Sequence, residues 1–263
     1  MTVREIQPGD REALVALWCG VFGDPRACVE EFLRLLPEMG GGVAAFEDGR
    51  LIGAAYIVTG LQLLEGGKSR RCGYLYAVAA DEAYRRRGVG AALSRAAAAL
   101  GRARGAELIC TLPAEDGLYG WYERVLGARC ALHRVRRCFD SAPGVPVRPL
   151  APADYLARRE ALLAGRPHLA PEPAAMAYEA FSLGAYGGGL YALGGGIAAA
   201  WVEDGLCTVF ELLGEAPEAA ASLAAFLGAE RAALWQPAPA GEKYLAFVPA
   251  DLPPDTVGAL VFE

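Results

Sequence analysis

The feature that most constrains the fold is an arginine- and glycine-rich loop between a strand-like and a helix-like segment. Residues 83–105 read AYRRRGVGAALSRAAAALGRARG, and residues 72–78 before them (CGYLYAV) have the apolar and aromatic content of a buried strand. The alanine-rich run from Val89 to Arg104 predicts a helix, which Gly105 would end at its C′ position. A strand, a loop and a helix in this order favour an α/β fold.

The composition indicates a globular chain whose partners are not nucleic acids. At 263 residues it has room for one large or two small domains, and 54% apolar residues supply a sizeable core. The formal net charge is −6, and among 25 basic residues only Lys68 and Lys243 are lysines. This charge provides no basic surface for a phosphate backbone, so we expect no nucleic-acid partner. It is compatible with a cationic amine as the substrate.

The cysteines and the hydropathy pattern set further limits. Seven cysteines form an odd set without a Cys-x-x-Cys pair, which argues against a disulfide framework and against a zinc site, so we expect no metal. Residues 1–18 lack the basic and apolar regions of a signal peptide, and no stretch of about 18 uncharged apolar residues follows. We therefore expect a cytoplasmic protein without a membrane partner.

Periodicity along the first half predicts an ordered series of strands and helices. Two amphipathic helices follow a short first strand, and an Asp48-Gly49 turn then predicts a β-hairpin. The helix after the arginine-rich loop leads to a further strand, a short helix and a last strand. The predicted elements besides these longer helices are the strands 3–6, 42–46, 51–58, 72–78, 107–112 and 130–139 and the short helix 119–126.

The second half repeats this order after a proline-rich stretch. Residues 141–152 (SAPGVPVRPLAP) contain four prolines and are interpreted as a linker. From Val147 on, VRPLAPADYLARREALL parallels the opening VREIQPGDREALVALW, and residues 207–237 reproduce a strand, a loop, an alanine-rich helix and a strand. A repeat of about 145 residues fits two copies of one domain. The expected domains are therefore 1–140 and 153–263.

The arginine-rich loop itself has the chemistry of an anion site. The start of a helix leaves several backbone N–H groups without partners and carries a partial positive charge. Gly88 and Gly90 remove the Cβ atoms that would keep an anion away, and the arginines before them add donors and charge. A plain strand-to-helix turn is the alternative interpretation. A Walker loop is excluded because Ala91-Ala92 follows Gly90, and a Rossmann fingerprint lacks its third glycine.

Two stretches resemble one known family. The pattern Arg-x-x-Gly-x-Gly after a strand resembles the acetyl-CoA pyrophosphate loop of the GNAT N-acetyltransferase superfamily, and LYGWYERVLGA around Tyr122 resembles that family's closing helix. The resemblance implies the GNAT fold, a mixed α/β sheet, in two tandem copies of which the second is degenerate. It also implies acetyl-CoA as the cosubstrate. The residues that it assigns to this cosubstrate are Arg85, Arg86, Arg87, Gly88, Val89, Gly90 and Ala91 in the loop, and Ala77, Val78 and Ala79 beside the pantetheine arm.

The resemblance implies a reaction as well, the direct transfer of an acetyl group to a primary amine of a small molecule or a peptide. A neutral amine attacks the thioester, the CoA thiolate leaves, and a phenol near the sulfur can protonate that thiolate. Tyr122 is the predicted acid, with Tyr119 as the alternative. For the base, larger members of the superfamily bring their C-terminal carboxylate into the site, which points to Glu263. Glu115 and Asp116 are the other candidates.

The second copy differs at the position of the cofactor loop. Residues 214–219 (GEAPEA) place two carboxylates and a proline where the first copy has arginines and glycines, so we expect no CoA site there. His133 and His168 lie far apart in the sequence and are interpreted as structural. A CoA-binding sensor without transferase activity is the alternative function. The sequence specifies neither the acceptor nor an oligomeric state.

Overall fold

The computed structural model describes residues 1–258 and has a mixed α/β architecture. Within these residues, none of the helices combines the length and the hydrophobicity that crossing a bilayer requires. The helices are α1 (Arg11–Phe22), α2 (Arg26–Met39), α3 (Val89–Ala103), α4 (Asp116–Leu126), α5 (Pro152–Leu162), α6 (Pro173–Ala185) and α7 (Ala220–Phe226). The strands are β1 (Thr2–Glu5), β2 (Gly40–Glu47), β3 (Arg50–Glu65), β4 (Lys68–Ala80), β5 (Leu108–Thr111), β6 (Arg129–Cys130), β7 (His133–Asp140), β8 (Val147–Pro149), β9 (His168–Pro171), β10 (Gly189–Leu193), β11 (Gly196–Glu203), β12 (Leu206–Leu213), β13 (Arg231–Ala238), β14 (Glu242–Lys243) and β15 (Ala246–Val248).

The chain divides into two compact units that are not continuous in sequence. The first unit comprises Met1–Ala131 and Tyr244–Leu252, and the second comprises Leu132–Lys243 and the residues from Pro253 on. The chain therefore passes from one unit to the other three times. These limits differ from the expected boundary at residue 140.

The first unit contains a sheet in which the strand order is β1-β2-β3-β4-β5-β15-β6. The first four strands are antiparallel neighbours, whereas β4 and β5 are parallel because α3 connects them. Neighbouring residues of a strand point to opposite faces, so Ile57 packs on the side of α3 and α4 while Tyr56 packs against Trp18 and Phe32 of α1 and α2. The sheet is thus covered by helices on both faces.

The second unit has its own sheet, in the order β8-β10-β11-β12-β13-β7-β14. Here β12 and β13 are the parallel pair, and α7 connects them. The short α7 packs on one core cluster, and α5 and α6 pack on another. On α5, the fully buried Arg159 forms an ion pair with Glu211 at 3.0 Å, and Glu211 also accepts a hydrogen bond of 2.7 Å from the Tyr155 hydroxyl.

Each sheet contains a strand that the sequence pattern assigns to the other unit. The predicted strand 130–139 is wrong as a single element, because its start is β6 in the first unit and the rest is β7, which pairs with β13. The position beside β5 is taken instead by β15, in which Phe247 pairs with Cys110. The alternation of residues in a strand sets which face is apolar but not which edge it pairs with, so this exchange leaves no signal in the sequence.

The stretch predicted as a linker, residues 141–152, contains regular structure. Val147–Pro149 form the edge strand β8, where proline is tolerated because one side of an edge strand has no ladder partner. Before it, the Val145 amide donates to the Ser222 hydroxyl at 3.2 Å. After it, Pro152 begins α5, a first-turn position that suits its missing N–H. The prolines therefore mark a packed segment of the second unit.

Predictions that depend on local sequence alone are confirmed. Asp48 and Gly49 have φ of +51° and +78°, as the two-residue turn between β2 and β3 requires. The helix α3 spans Val89–Ala103, one residue shorter than predicted. Gly105 follows it with φ of +90°, a left-handed conformation that glycine adopts at little cost.

Candidate functional site

The two parallel strands of the first unit separate after a short paired region. Their ladder consists of Cys72 with Leu108, Gly73 with Ile109 and Tyr74 with Cys110. β4 continues for six residues beyond this point, to Ala80, and no ladder partner faces this edge of it among residues 1–258. The main-chain groups along this edge are therefore available to a ligand. We call this feature the open edge of β4.

A β-bulge shapes the open edge. On the other side of β4, Ala54 of β3 pairs with Ala79 and Tyr56 pairs with Tyr76, so two residues of β4 oppose one residue of β3. One of these two residues of β4, Ala77, has φ of +45°, which a residue with a Cβ adopts only where the surroundings hold it. The bulge turns the backbone at residues 77–79, the stretch that the sequence assigned to the pantetheine arm.

The loop after β4 ends in a helix start without a side-chain cap. Gly88 has φ of +83° and precedes the first residue of α3. The first amide of this helix with a main-chain acceptor is that of Ala92, which donates to the Gly88 carbonyl at 3.0 Å. The amides of residues 89–91 precede the first helical hydrogen bond and point out of the helix end. This is the arrangement that an anion needs.

The two glycines of the loop have different roles. At Gly88 a Cβ would touch no protein atom within 4 Å, and the φ of +83° is a left-handed conformation that glycine adopts at little cost. At Gly90 a Cβ would lie 3.7 Å from the Trp121 ring of α4, an ordinary contact. Val89 between them is buried in the core beside α3. The loop is thus held by the core from one side and open on the other.

The three arginines of the loop are not equivalent. Arg85 and Arg86 are exposed, and neither takes part in an ion pair within the part of the chain that the structure describes. Arg87 instead donates to the Glu47 carboxylate of β2 at 2.9 Å. Its guanidinium carbon also lies 4.9 Å from the centre of the Tyr84 ring. The sequence had assigned all three arginines to the cosubstrate.

Tyr122 lies where the two strands begin to separate. Its phenol is a neighbour of the Thr111 side chain, and the Thr111 hydroxyl donates to the Leu75 carbonyl at 3.1 Å. Thr111 is the last residue of β5, and Leu75 is the residue of β4 just beyond the last paired position. Burial raises the pKa of Tyr122, whose exposed fraction is 7%, and the interaction with Thr111 partly opposes this shift. The phenol therefore stays protonated at neutral pH and can act as a proton donor.

The other predicted candidates are placed differently. The Tyr119 hydroxyl donates to the Tyr244 carbonyl at 2.7 Å, so this phenol ties α4 to the segment that leads into β15. Glu115 and Asp116 are exposed at the start of α4, where acidic side chains stabilise the helix dipole. Glu263 lies outside the described residues.

Sequence reasoning missed two residues of this site, Glu47 and Thr111. Both make their contacts with residues about 40 positions away, since Glu47 binds Arg87 and Thr111 binds the strand before the loop. Neither residue belongs to a motif in the sequence. Only the pairing of the strands brings them to the loop and to the phenol.

Comparison with known families and structures fits this geometry. Residues 2–124 match the family described as an acetyltransferase (GNAT) domain. This stretch, 123 of the 263 residues, is similar to a GNAT domain. A comparison with curated protein sequences finds no match.

Several solved structures are similar to this chain over nearly its whole length. A GCN5-related N-acetyltransferase from Kribbella flavida has 19% identity over 95% of this chain and 72% of its own, with a TM-score of 0.68. A probable N-acyltransferase from Enterococcus faecalis has 13% identity over 94% and 72%, with a TM-score of 0.69. A putative acetyltransferase from Pyrococcus horikoshii has 18% identity over 94% and 88%, with a TM-score of 0.60. At these identities the likeness establishes the fold alone.

Proposed function

We propose that the chain is an N-acyltransferase that moves an acetyl group from acetyl-CoA to a primary amine of a small molecule or a peptide. One observation carries the proposal. In the first unit, β4 leads from a buried phenol, along an open strand edge, to an uncapped helix start. These features match, in order, the reacting thioester, the pantetheine arm and the pyrophosphate of acyl-CoA.

The helix start and its arginines would hold the pyrophosphate. The amides of residues 89–91 point at the ligand, and the dipole of the fifteen-residue α3 favours negative charge there. Gly88 is left-handed and Val89 after it is helical, and this succession directs main-chain N–H groups to one side, as in an anion-binding nest. The exposed side chains of Arg85 and Arg86 add charge-assisted hydrogen bonds.

The open edge of β4 would hold the pantetheine arm. The amide groups of the pantetheine arm can pair with the bulged backbone at residues 77–79, in the way that an extended peptide adds to a sheet edge. An arm bound there runs from the loop toward residue 75, next to the Tyr122 phenol. The thioester is thereby directed to the point where β4 and β5 separate.

The reaction needs one acid and one base. The amine nitrogen attacks the thioester carbon and forms the C–N bond, and the C–S bond then breaks to release the CoA thiolate. Before the attack, a base takes the proton of the substrate ammonium, so that a neutral amine attacks. Tyr122 donates its proton to the leaving thiolate, and the proton that the newly bonded nitrogen then sheds restores the Tyr122 phenol. The Glu263 carboxylate is our candidate for that base, and deleting this residue without loss of activity would exclude it.

We also propose that the second unit is a GNAT-like copy without a CoA site. Its strand order is the order of the first unit, and the parallel pair β12 and β13 is again joined by a helix. At its strand-to-helix junction, the Glu215 carboxylate accepts from the Gly195 amide at 2.7 Å, and Pro217 lacks a donor. This junction presents negative charge where a pyrophosphate would lie.

Binding and turnover of the wild-type chain test the proposal together. Titration calorimetry with acetyl-CoA, and release of free thiol in the presence of polyamines, aminoglycosides, amino acids or a lysine peptide, should give both heat and turnover with at least one amine. Binding without thiol release on any of these amines would favour a CoA sensor. The absence of any heat would reject both functions.

A further inference from the structure

We infer that Glu47 and Arg50, at the two ends of the β2–β3 turn, are positioning residues for the cofactor loop, an inference that rests on the proposed function. Each reaches from the hairpin to the segment before α3. Arg87 donates one guanidinium nitrogen to both oxygens of Glu47, at 2.9 and 3.1 Å. Arg50 donates to Asp81 at 2.7 Å. The hairpin and the loop are therefore joined by two ion pairs.

Tyr84 connects the two ion pairs. The guanidinium carbon of Arg87 lies 4.9 Å from the centre of the Tyr84 ring, and that of Arg50 lies 5.8 Å from it, both within cation–π range. The ring also packs against the core beside α3. The side chain of Asp81 in turn caps the helical turn 82–84. The contacts thus run without interruption from the hairpin through the loop to the core.

The loop needs such support because its backbone is disfavoured. Arg86 has φ of +61° although it carries a Cβ, and Gly88 has φ of +83°. Arg87, between these two left-handed residues, is the one that Glu47 holds. A non-glycine residue persists in this conformation only where its surroundings over-determine it. The ion pair therefore holds the loop at the residue that lies between the two left-handed positions.

The alternative is that Glu47 weakens the binding of CoA. Arg87 could itself bind a phosphate of CoA, in which case Glu47 would compete with the ligand for the same guanidinium. Removing the carboxylate would then strengthen binding, whereas a positioning role predicts weaker binding. The sign of the change separates the two roles.

The test is Glu47→Gln, measured by calorimetry with acetyl-CoA. The Arg87 side chain is 53% exposed, so we expect the modest loss typical of a surface ion pair, about two- to fivefold in Kd. The loss should appear in KM for acetyl-CoA and not in kcat, with no change in Tm. Arg50→Gln should act in the same direction. The matched control Glu12→Gln breaks an exposed ion pair with Arg26 of 2.7 Å and should leave the affinity unchanged.

A double-mutant cycle shows whether Glu47 acts through Arg87. In an Arg87→Gln background, Glu47→Gln should cost nothing further, because the pair is already broken. Tighter or unaltered binding by the single Glu47→Gln variant overturns the positioning role. Failure of the wild-type chain to bind acetyl-CoA would instead reject the proposed function, so the two failures are distinguishable.

Discussion

The two units share one strand order but differ at the junction between their parallel strands. In the first unit, Gly88 with φ of +83° opens a fifteen-residue helix whose first amides have no cap. In the second unit, Gly214 has a similar φ of +79°, but Glu215 folds back onto the Gly195 amide and Pro217 begins a 3-10 turn before the seven-residue α7. The same strand order thus occurs with a junction of either charge. The strand order depends on strand pairing, whereas the charge at the junction depends on a few loop residues.

The cores differ in the same way. In the first unit, α1 and α2 pack aromatic rings on the sheet, with Trp18 and Phe32 against Tyr56 at centroid distances of 5.0 and 5.2 Å. In the second unit, α5 brings the buried Arg159 to Glu211 of β12. One core therefore excludes charge, and the other depends on a fully satisfied ion pair.

The largest expected effect comes from breaking that ion pair. Arg159→Met should lower the free energy of unfolding by about 3–5 kcal/mol, because it leaves the Glu211 carboxylate buried without its charge partner. Denaturant unfolding measures the loss. The double variant Arg159→Met with Glu211→Gln should recover much of it, since the uncompensated charge is gone. A stable single variant would mean that the second core does not depend on this pair.

The next effect concerns the junction itself. Gly88→Glu should weaken acetyl-CoA binding by several hundredfold, because a carboxylate placed against a pyrophosphate costs several kcal/mol. Gly228→Glu is the matched control in the second unit, where the glycine has φ of +71° and equally open space. Calorimetry on both variants isolates the electrostatic effect from the backbone strain. Equal losses in affinity would contradict a CoA site at Gly88.

The smallest of the three effects concerns the phenol. Tyr122→Phe should lower kcat by about a hundredfold, the contribution of a typical general acid, with little change in KM for acetyl-CoA. Tyr191→Phe, which alters a buried phenol of the second unit, should leave kcat unaffected.

The pH dependence offers a second measurement on Tyr122. Burial raises its pKa, so the acid keeps its proton, and the alkaline fall of wild-type kcat from this group should begin at a higher pH than the ionisation of an exposed tyrosine. Full activity of the Tyr122→Phe variant would remove the phenol from the mechanism.

A feature could be predicted from the sequence where the residues that determine it lie close together along the chain. The hairpin at Asp48-Gly49 and the helix from Val89 were predictable because their determinants lie within a few residues. The choice of Tyr122 as the acid came from a family pattern and stays a prediction. The partner of β7 and the contact of Glu47 with Arg87 depend on which strands become neighbours, and residue patterns do not encode that choice.

The placement of β15 has a consequence for how the protein can be dissected. A fragment ending at residue 140 would keep the loop and Tyr122 but lose the strand that pairs with β5 on its other edge. Thr111, whose hydroxyl joins β5 to Leu75 of β4, is the last residue of that same β5, so the loss of β15 would loosen the strand end beside Tyr122. A fragment cut at the proline-rich stretch therefore lacks one strand of the first sheet, and we expect the first unit to need residues 244–252 for its full stability.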